Sequence, residues 1–317
     1  MQNEPLIRRV GIVGTGLIGS SWAALFLSRG LDVVATDPAP QAEQKLREYV
    51  TRAWPALAQL GLAKDASLER LSFNADLKAA VGEVDFIQEN GPEREDFKVK
   101  LFAELDDLVP VHAILASSSS GLMMSAIQQR CRRPERCVIG HPFNPPHLIP
   151  LVEVVGGAAT SRDTIERAEN FYTRMGKRTI RLNKEIPGHV ANRLQAALWR
   201  EVVHLVDQGV ISVGDADAAV SWGPGLRWGV MGPNLLFHLG GGQGGIEHFL
   251  AHLSGPFSRW WDDLGHPVLT PELKDRLIQG VKAEAAGRTI AELEKQRDDL
   301  LIRLLALRAL PDSRPHP

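Results

Sequence analysis

The sequence predicts an α/β fold in which a doubly wound parallel sheet precedes an all-helical domain. Three observations carry this. Short β-branched runs alternate with stripes of helical period from Arg8 to about residue 186. A strand–glycine–helix junction opens the alternation. Beyond Pro187, strand signals almost vanish while helical periodicity continues. Short apolar runs separated by helical stretches suit a parallel sheet, because its crossover helices cover both faces and each strand is buried on both sides.

Taken in order, Arg8–Val13 is a strand that runs straight into Gly14-Thr15-Gly16-Leu17-Ile18-Gly19. Ile18, Trp22, Leu25 and Phe26 then recur at helical spacing until Arg29-Gly30. A second strand, Leu31–Thr36, ends at Asp37, eighteen residues beyond Gly19. Strand, glycines, helix, strand and acid in this order form the dinucleotide-binding fingerprint of a Rossmann domain. Gly14 permits the tight turn, Gly16 lets the backbone approach a pyrophosphate, and Gly19 allows close helix–strand packing. The helix N-terminus at Leu17 and Ile18 offers its amides to the phosphates. Asp37 is expected to bind the ribose 2′-hydroxyl and repel a 2′-phosphate. With no arginine before Arg47, the cofactor expected is NAD rather than NADP.

The alternation continues with a strand at Val84–Gln88, a helix at Phe97–Leu105 and strands at Ala113–Ala116, Arg136–Ile139 and Leu151–Val155. A helix capped near Thr160 and a strand at Thr179–Leu182 complete the first domain. After Pro187, Leu194, Ala197, Leu198, Val202 and Leu205 form a helical stripe, followed by Gly- and Pro-rich sequence from Trp222 to Pro233 and a glycine cluster at Gly240–Gly245. Thr289-Ile290-Ala291-Glu292 is a capping box leading into a leucine-rich helix. The expected boundary separates a domain at 1–186 from a helical substrate and dimerisation domain at 187–317.

The 317 residues carry a net charge of −2, which leaves no basic footprint for nucleic acid or an anionic membrane. No apolar run approaches the roughly 18–20 residues that span a bilayer, and Met1–Pro5 does not read as a secretory leader. Cys131 and Cys137 are too few for a disulfide framework or a zinc site and read as reduced, cytoplasmic thiols. His248 and His252 lie four apart on a helix, but no third ligand suggests itself, so no metal is expected.

Candidate chemistry gathers at strand exits, where open α/β sheets bind ligands. His141 follows one strand, and Glu153 sits inside the next. A carboxylate on one imidazole nitrogen fixes the tautomer and leaves the other nitrogen to take a proton, as oxidation of an alcohol requires. The serines Ser117–Ser120 leave another strand, and Asn192 lies at the domain junction.

Together Gly14-x-Gly16-x-x-Gly19, the serine loop, His141-x-x-Asn144-Pro145, Glu153 and Pro187-Gly188…Asn192-Arg193 resemble the 3-hydroxyacyl-CoA dehydrogenase family over essentially the whole chain. The resemblance implies that His141 is the general base, that Glu153 orients it, and that Ser120 and Asn192 hold the substrate oxygens. It further implies that Glu93 and Lys98 contact the nicotinamide-side ribose and that Asn144 belongs to the cofactor site. Gly225-Leu226-Arg227-Trp228 and the segments after it look more like the branch holding L-carnitine dehydrogenase and L-gulonate 3-dehydrogenase (lambda-crystallin), which act on small free 3-hydroxy acids. Arg227 would then pair with a free carboxylate, Trp260 would help enclose the substrate, and the helical domain would form a homodimer. The alternatives are a true acyl-CoA dehydrogenase and a non-catalytic, crystallin-like NAD(H)-binding protein.

Overall fold

The computed structural model describes residues 6–308; the Met1–Pro5 segment read above for a leader lies outside the described residues, as does the chain from 309. The first part runs β1 (Arg9–Val13), α1 (Leu17–Ser28), β2 (Asp32–Thr36), α2 (Ala42–Leu60), β3 (Leu71–Phe73), α3 (Leu77–Val81), β4 (Phe86–Glu89), α4 (Glu95–Leu108), β5 (Ile114–Ser117), α5 (Met124–Ile127), β6 (Cys137–Pro142), β7 (Leu151–Gly156), α6 (Arg162–Arg174) and β8 (Arg178–Arg181). The strands form one sheet in the order β3-β2-β1-β4-β5-β6-β7-β8. The chain order reverses between β1 and β4, which is the switch point where a doubly wound sheet opens its ligand crevice.

Both faces are covered. Along β4, Phe86 packs with Trp22, Phe26, Phe171 and Tyr172 of α1 and α6 on one side, while Ile87 packs with Phe102 and Leu105 of α4 on the other. This is the two-residue period of a strand buried on both faces.

The sheet is mixed rather than wholly parallel. Strands β3 to β6 run parallel, β7 is antiparallel to β6, and β8 is parallel to β7. The cause is loop length. Only residues 143–150 join β6 to β7, whereas a parallel pair needs a crossover of about a dozen residues or more. A second correction follows: His141 lies within β6, not beyond it, and Pro142 closes the strand. A proline at the last strand position forfeits only its own donor. The cap of α6 is Ser161, whose Oγ accepts from the Thr164 amide at 3.1 Å; Thr160 instead donates its hydroxyl to the Cys137 carbonyl.

By compactness the chain divides into residues up to 192 together with 298–306, and residues 193–297 with the chain from 307. After β8 the described chain is helical: α7 (Ala191–Asp207), α8 (Val213–Trp222), α9 (Pro224–Trp228), α10 (Pro233–Gly240), α11 (Gly245–Asp263), α12 (Pro271–Ala285) and α13 (Ile290–Arg308), of which residues 298–306 count with the first unit. The Gly- and Pro-rich stretch is thus largely helical, because Pro224 and Pro233 occupy first helical positions where a missing N–H costs nothing. The box at Thr289 forms reciprocally: Glu292 accepts from the Thr289 amide at 2.7 Å, and Thr289 Oγ1 accepts from the Glu292 amide at 3.2 Å. No helix among the described residues is long and apolar enough to cross a membrane.

Candidate active site

The glycine loop leaves β1 with Gly14 at φ +88°, in the left-handed region that favours glycine. A Cβ at Gly19 would lie 1.9 Å from the Gly14 carbonyl oxygen, so α1 seats on the loop only without one. At Gly16 a Cβ would meet nothing within 4 Å, leaving open space over the loop, and no side chain caps α1. Its first-turn amides therefore face a space that an anion can enter. Asp37, just beyond β2, secures this arrangement. Its Oδ2 accepts from the Thr15 amide (2.7 Å) and Thr15 Oγ1 (3.1 Å), and its Oδ1 from the Ala39 amide (2.8 Å). The sequence assigned Asp37 a ribose; the structure adds that it fixes the glycine loop.

At the exits of β4 and β5 a polar cluster forms. The buried Glu89 takes Lys98 Nζ on both carboxylate oxygens (2.7 and 2.8 Å) and Ser117 Oγ at 2.5 Å. Lys98 is thus buried beneath the loop, with Glu93 Oε2 at 3.8 Å. Glu93, unlike Lys98, is exposed. Its Oε1 gathers Ser119 Oγ (2.6 Å) and the amides of Ser120 (2.9 Å) and Gly121 (2.8 Å). Burial alone would raise the Glu93 pKa. The Ser119 and Gly121 bonds and the Lys98 charge outweigh it and hold the carboxyl below the usual range.

The four serines separate by burial. Ser117 is committed to Glu89, Ser118 to Asn90 and Gln88, and Ser119 to Glu93. Only Ser120 is exposed, its hydroxyl 3.5 Å from Glu93. Asn192, in the first turn of α7, donates from Nδ2 to the Ser120 carbonyl at 3.2 Å. Asn144 is exposed on the loop after β6. That loop is held by Lys177, which donates to the Pro146 carbonyl and, at 2.8 Å, to that of Ile149.

The antiparallel register places His141 directly opposite Glu153. Directly opposed side chains share a sheet face with Cβ atoms about 4.5–5.5 Å apart, and Nδ1 meets Glu153 Oε2 at 2.8 Å. The other carboxylate oxygen accepts from the amides of Val190 (2.9 Å) and Ala191 (3.0 Å), where α7 begins. Burial works to raise the pKa of Glu153; the His141 bond and the two amides outweigh it, so the carboxyl falls below its ordinary range. A carboxylate only accepts, so His141 Nδ1 carries a proton, and in the neutral ring Nε2 is the acceptor. Nε2 has no hydrogen-bond partner among the described residues. The arrangement is an oriented imidazole able to accept one proton.

Sequence reasoning passed over Glu89 and His189. Glu89 was detectable as an acid ending an apolar strand. His189 carried no periodic signal; it is buried, and its ring centroid lies 5.1 Å from that of His141. Arg227 and Trp260 belong to the helical unit. Arg227 lies exposed in α9, with no side-chain partner among the described residues. Trp260 is 57% exposed and packs edge-on to Phe257 at 5.1 Å. Among the described residues no group of three or more His, Cys, Asp or Glu side chains could hold a metal ion.

Residues 9–186 match the NAD binding domain of 3-hydroxyacyl-CoA dehydrogenase, and residues 188–277 match its C-terminal domain. The chain belongs to the 3-hydroxyacyl-CoA dehydrogenase family. It is an NAD-dependent oxidoreductase acting on a CH–OH group. The L-carnitine dehydrogenase of a Bacillus cereus strain is 48% identical over 301 residues, covering 95% of this chain and 92% of that protein. That of a Pseudomonas species is 47% identical over 299 residues, 94% of this chain and 93% of the relative. Among solved structures, an NAD+-dependent dismutase, 5-formyl-3-hydroxy-2-methylpyridine 4-carboxylic acid 5-dehydrogenase, superposes with a TM-score of 0.81 at 30% identity, covering 98% of this chain and 100% of the other. The (S)-3-hydroxybutyryl-CoA dehydrogenase PaaH1 of Ralstonia eutropha gives 0.66 at 26% identity, covering 87% and 95%.

Proposed function

We propose that the protein oxidises the 3-hydroxyl of a small free 3-hydroxy acid, L-carnitine-like or L-gulonate-like, to the 3-oxo acid. The observation that carries this is the 48% identity to an L-carnitine dehydrogenase over 95% of the chain. It stands beside the His141–Glu153 pair, whose geometry suits removal of a hydroxyl proton. NAD, when bound, would supply the hydride acceptor. His141 Nε2 takes the hydroxyl proton as the C3 hydride departs, and Glu153 stabilises the resulting imidazolium. Ser120 and Asn192 hold the substrate oxygens. The amides of Leu17 and Ile18 would hold the pyrophosphate in the space that Gly14, Gly16 and Gly19 leave open, Asp37 would hold the adenosine ribose, and Glu93, Lys98 and Asn144 would line the nicotinamide side.

Arg227, with no carboxylate of the described residues on its guanidinium, is suited to pair bidentately with a free acid. A thioester offers it no anion. Trp260 helps enclose the substrate. In this reading the cofactor domain spans 1–186 and the substrate and dimerisation domain 187–317. The chain is a cytoplasmic homodimer that joins through its helical domain. The acyl-CoA reading draws on the solved 3-hydroxybutyryl-CoA dehydrogenase that shares the fold. Steady-state NADH formation with L-carnitine, L-gulonate, 3-hydroxybutyrate and 3-hydroxybutyryl-CoA tests the assignment. A free acid should give the highest kcat/KM. Preference for the thioester would restore the acyl-CoA reading, and inactivity on all four would favour a crystallin-like role.

A further inference from the structure

His189 combines two unfavourable features. Its φ is +50°, left-handed backbone that a residue with a Cβ adopts at a cost. Its Nδ1 is buried without a hydrogen-bond partner. Such features persist where the surroundings over-determine a residue, and they cluster at functional sites. The surroundings are the two loops of the candidate site.

His189 Nε2 lies 2.9 Å from the Ser119 carbonyl oxygen. A carbonyl only accepts, so Nε2 carries the proton. Three residues on, Asn192 donates to the next carbonyl in the chain, that of Ser120. Between them the amides of Val190 and Ala191 both donate to Glu153 Oε1. Residues 189–192 therefore grip the serine loop with two side chains and the base's carboxylate with two backbone amides. The His189 ring sits against the His141 ring, tilted by 49°.

We propose that His189 is a positioning residue that, through Ser119, fixes the exposed Ser120 hydroxyl in register with the His141–Glu153 pair. The proposal rests on the reading of His141 as the base. His189 holds the serine loop as a neutral donor. Burial lowers its pKa, the Ser119 bond raises it, His141 lowers it, and Glu153 and Glu93 raise it; the balance lies below the ordinary value. The neutral ring keeps a second positive charge away from the imidazolium that forms on His141. A misplaced hydroxyl weakens an interaction that strengthens in the transition state, so the loss should fall on kcat rather than KM.

The test compares His189→Phe, His189→Gln and His141→Gln in the full-length protein with a free 3-hydroxy acid that it oxidises. His189→Phe fills the ring space without a donor and should lower kcat at least tenfold, with KM and the NADH Kd changed less than threefold. His189→Gln offers an amide N–H toward Ser119 and should recover most of that loss. In the His141→Gln background, His189→Phe should add little, because the step it serves has gone. Wild-type kcat in His189→Phe, or a Gln variant no better than Phe, would overturn the proposal. If His141→Gln itself turned over normally, the base assignment would fail, and the positioning role with it. A dead His141→Gln beside a fully active His189→Phe would sink the positioning role alone.

Discussion

Replacing Glu153 with glutamine changes one atom of a buried carboxylate with three donors on it: His141 Nδ1 at 2.8 Å, the Val190 amide at 2.9 Å and the Ala191 amide at 3.0 Å. A glutamine has one acceptor and one donor group, so it cannot serve both sides. If its oxygen faces α7, its NH2 faces His141 Nδ1 and drives the ring proton to Nε2, which can then no longer take a proton. If its oxygen faces His141, its NH2 abuts two amide N–H groups, each a buried donor left unpaired at about 1–3 kcal/mol. The first arrangement satisfies more groups and should prevail. Its kinetic cost is that of losing a general base, about 10²–10⁴-fold in kcat, or roughly 3–5 kcal/mol at 1.36 kcal/mol per decade. The assay is single-turnover NADH formation at saturating NAD and substrate. Fluorescence titration of NADH should show cofactor binding unchanged. Turnover within threefold of wild type would refute the reasoning, because it would mean that the carboxylate does not set the tautomer of His141.

At Asp37, NAD should exceed NADP by at least tenfold in kcat/KM, and Asp37→Asn should narrow that ratio and weaken NAD binding too, since the carboxylate also holds Thr15; kinetics with both cofactors checks this. Arg227→Met should reduce kcat/KM for a free acid by about 1.5–3 kcal/mol, the range for a hydrogen bond to a charged group, with the NAD Kd unchanged; equal loss on acid and thioester would remove the free-acid reading. Lys177 has its pKa pushed down from 10.5 to about 7, chiefly by burial and then by Arg29. Between pH 7 and 10.5 the unfolded chain therefore binds more protons at this site, so stability from this group should rise with pH across that window. Lys177→Met should abolish this rise while leaving the Pro146 and Ile149 carbonyls without their donor, at about 1–3 kcal/mol; denaturant midpoints at pH 7 and 9 measure both effects.

The cofactor half was legible because its determinants are local. Turn, glycines, helix start and acid fall within Gly14 to Asp37, and backbone sterics alone fix their meaning. The His141–Glu153 pair was legible as two residues but not as a register, which depends on an eight-residue loop turning β7 back along β6. The three-residue edge strand β3 is too short to show a period, and it went unseen. The serines are chemically identical in sequence; only the neighbours Glu89, Asn90 and Glu93 distinguish them, leaving Ser120 exposed. Lys98, which the family resemblance assigns to the nicotinamide-side ribose, is buried against Glu89, two residues past Ile87, a partner that only the fold brings to it. His189 stayed invisible because its role lies in contacts with Ser119 and His141, 70 and 48 residues away.

The most direct test of the account is pre-steady-state turnover of His141→Gln with NAD and a free 3-hydroxy acid that the wild-type protein oxidises. The account predicts a loss in the hydride-transfer rate of about 10²–10⁴-fold, with NADH affinity unchanged. A variant that transfers hydride at a near-normal rate would contradict it, because it would mean that His141 Nε2 does not take the hydroxyl proton.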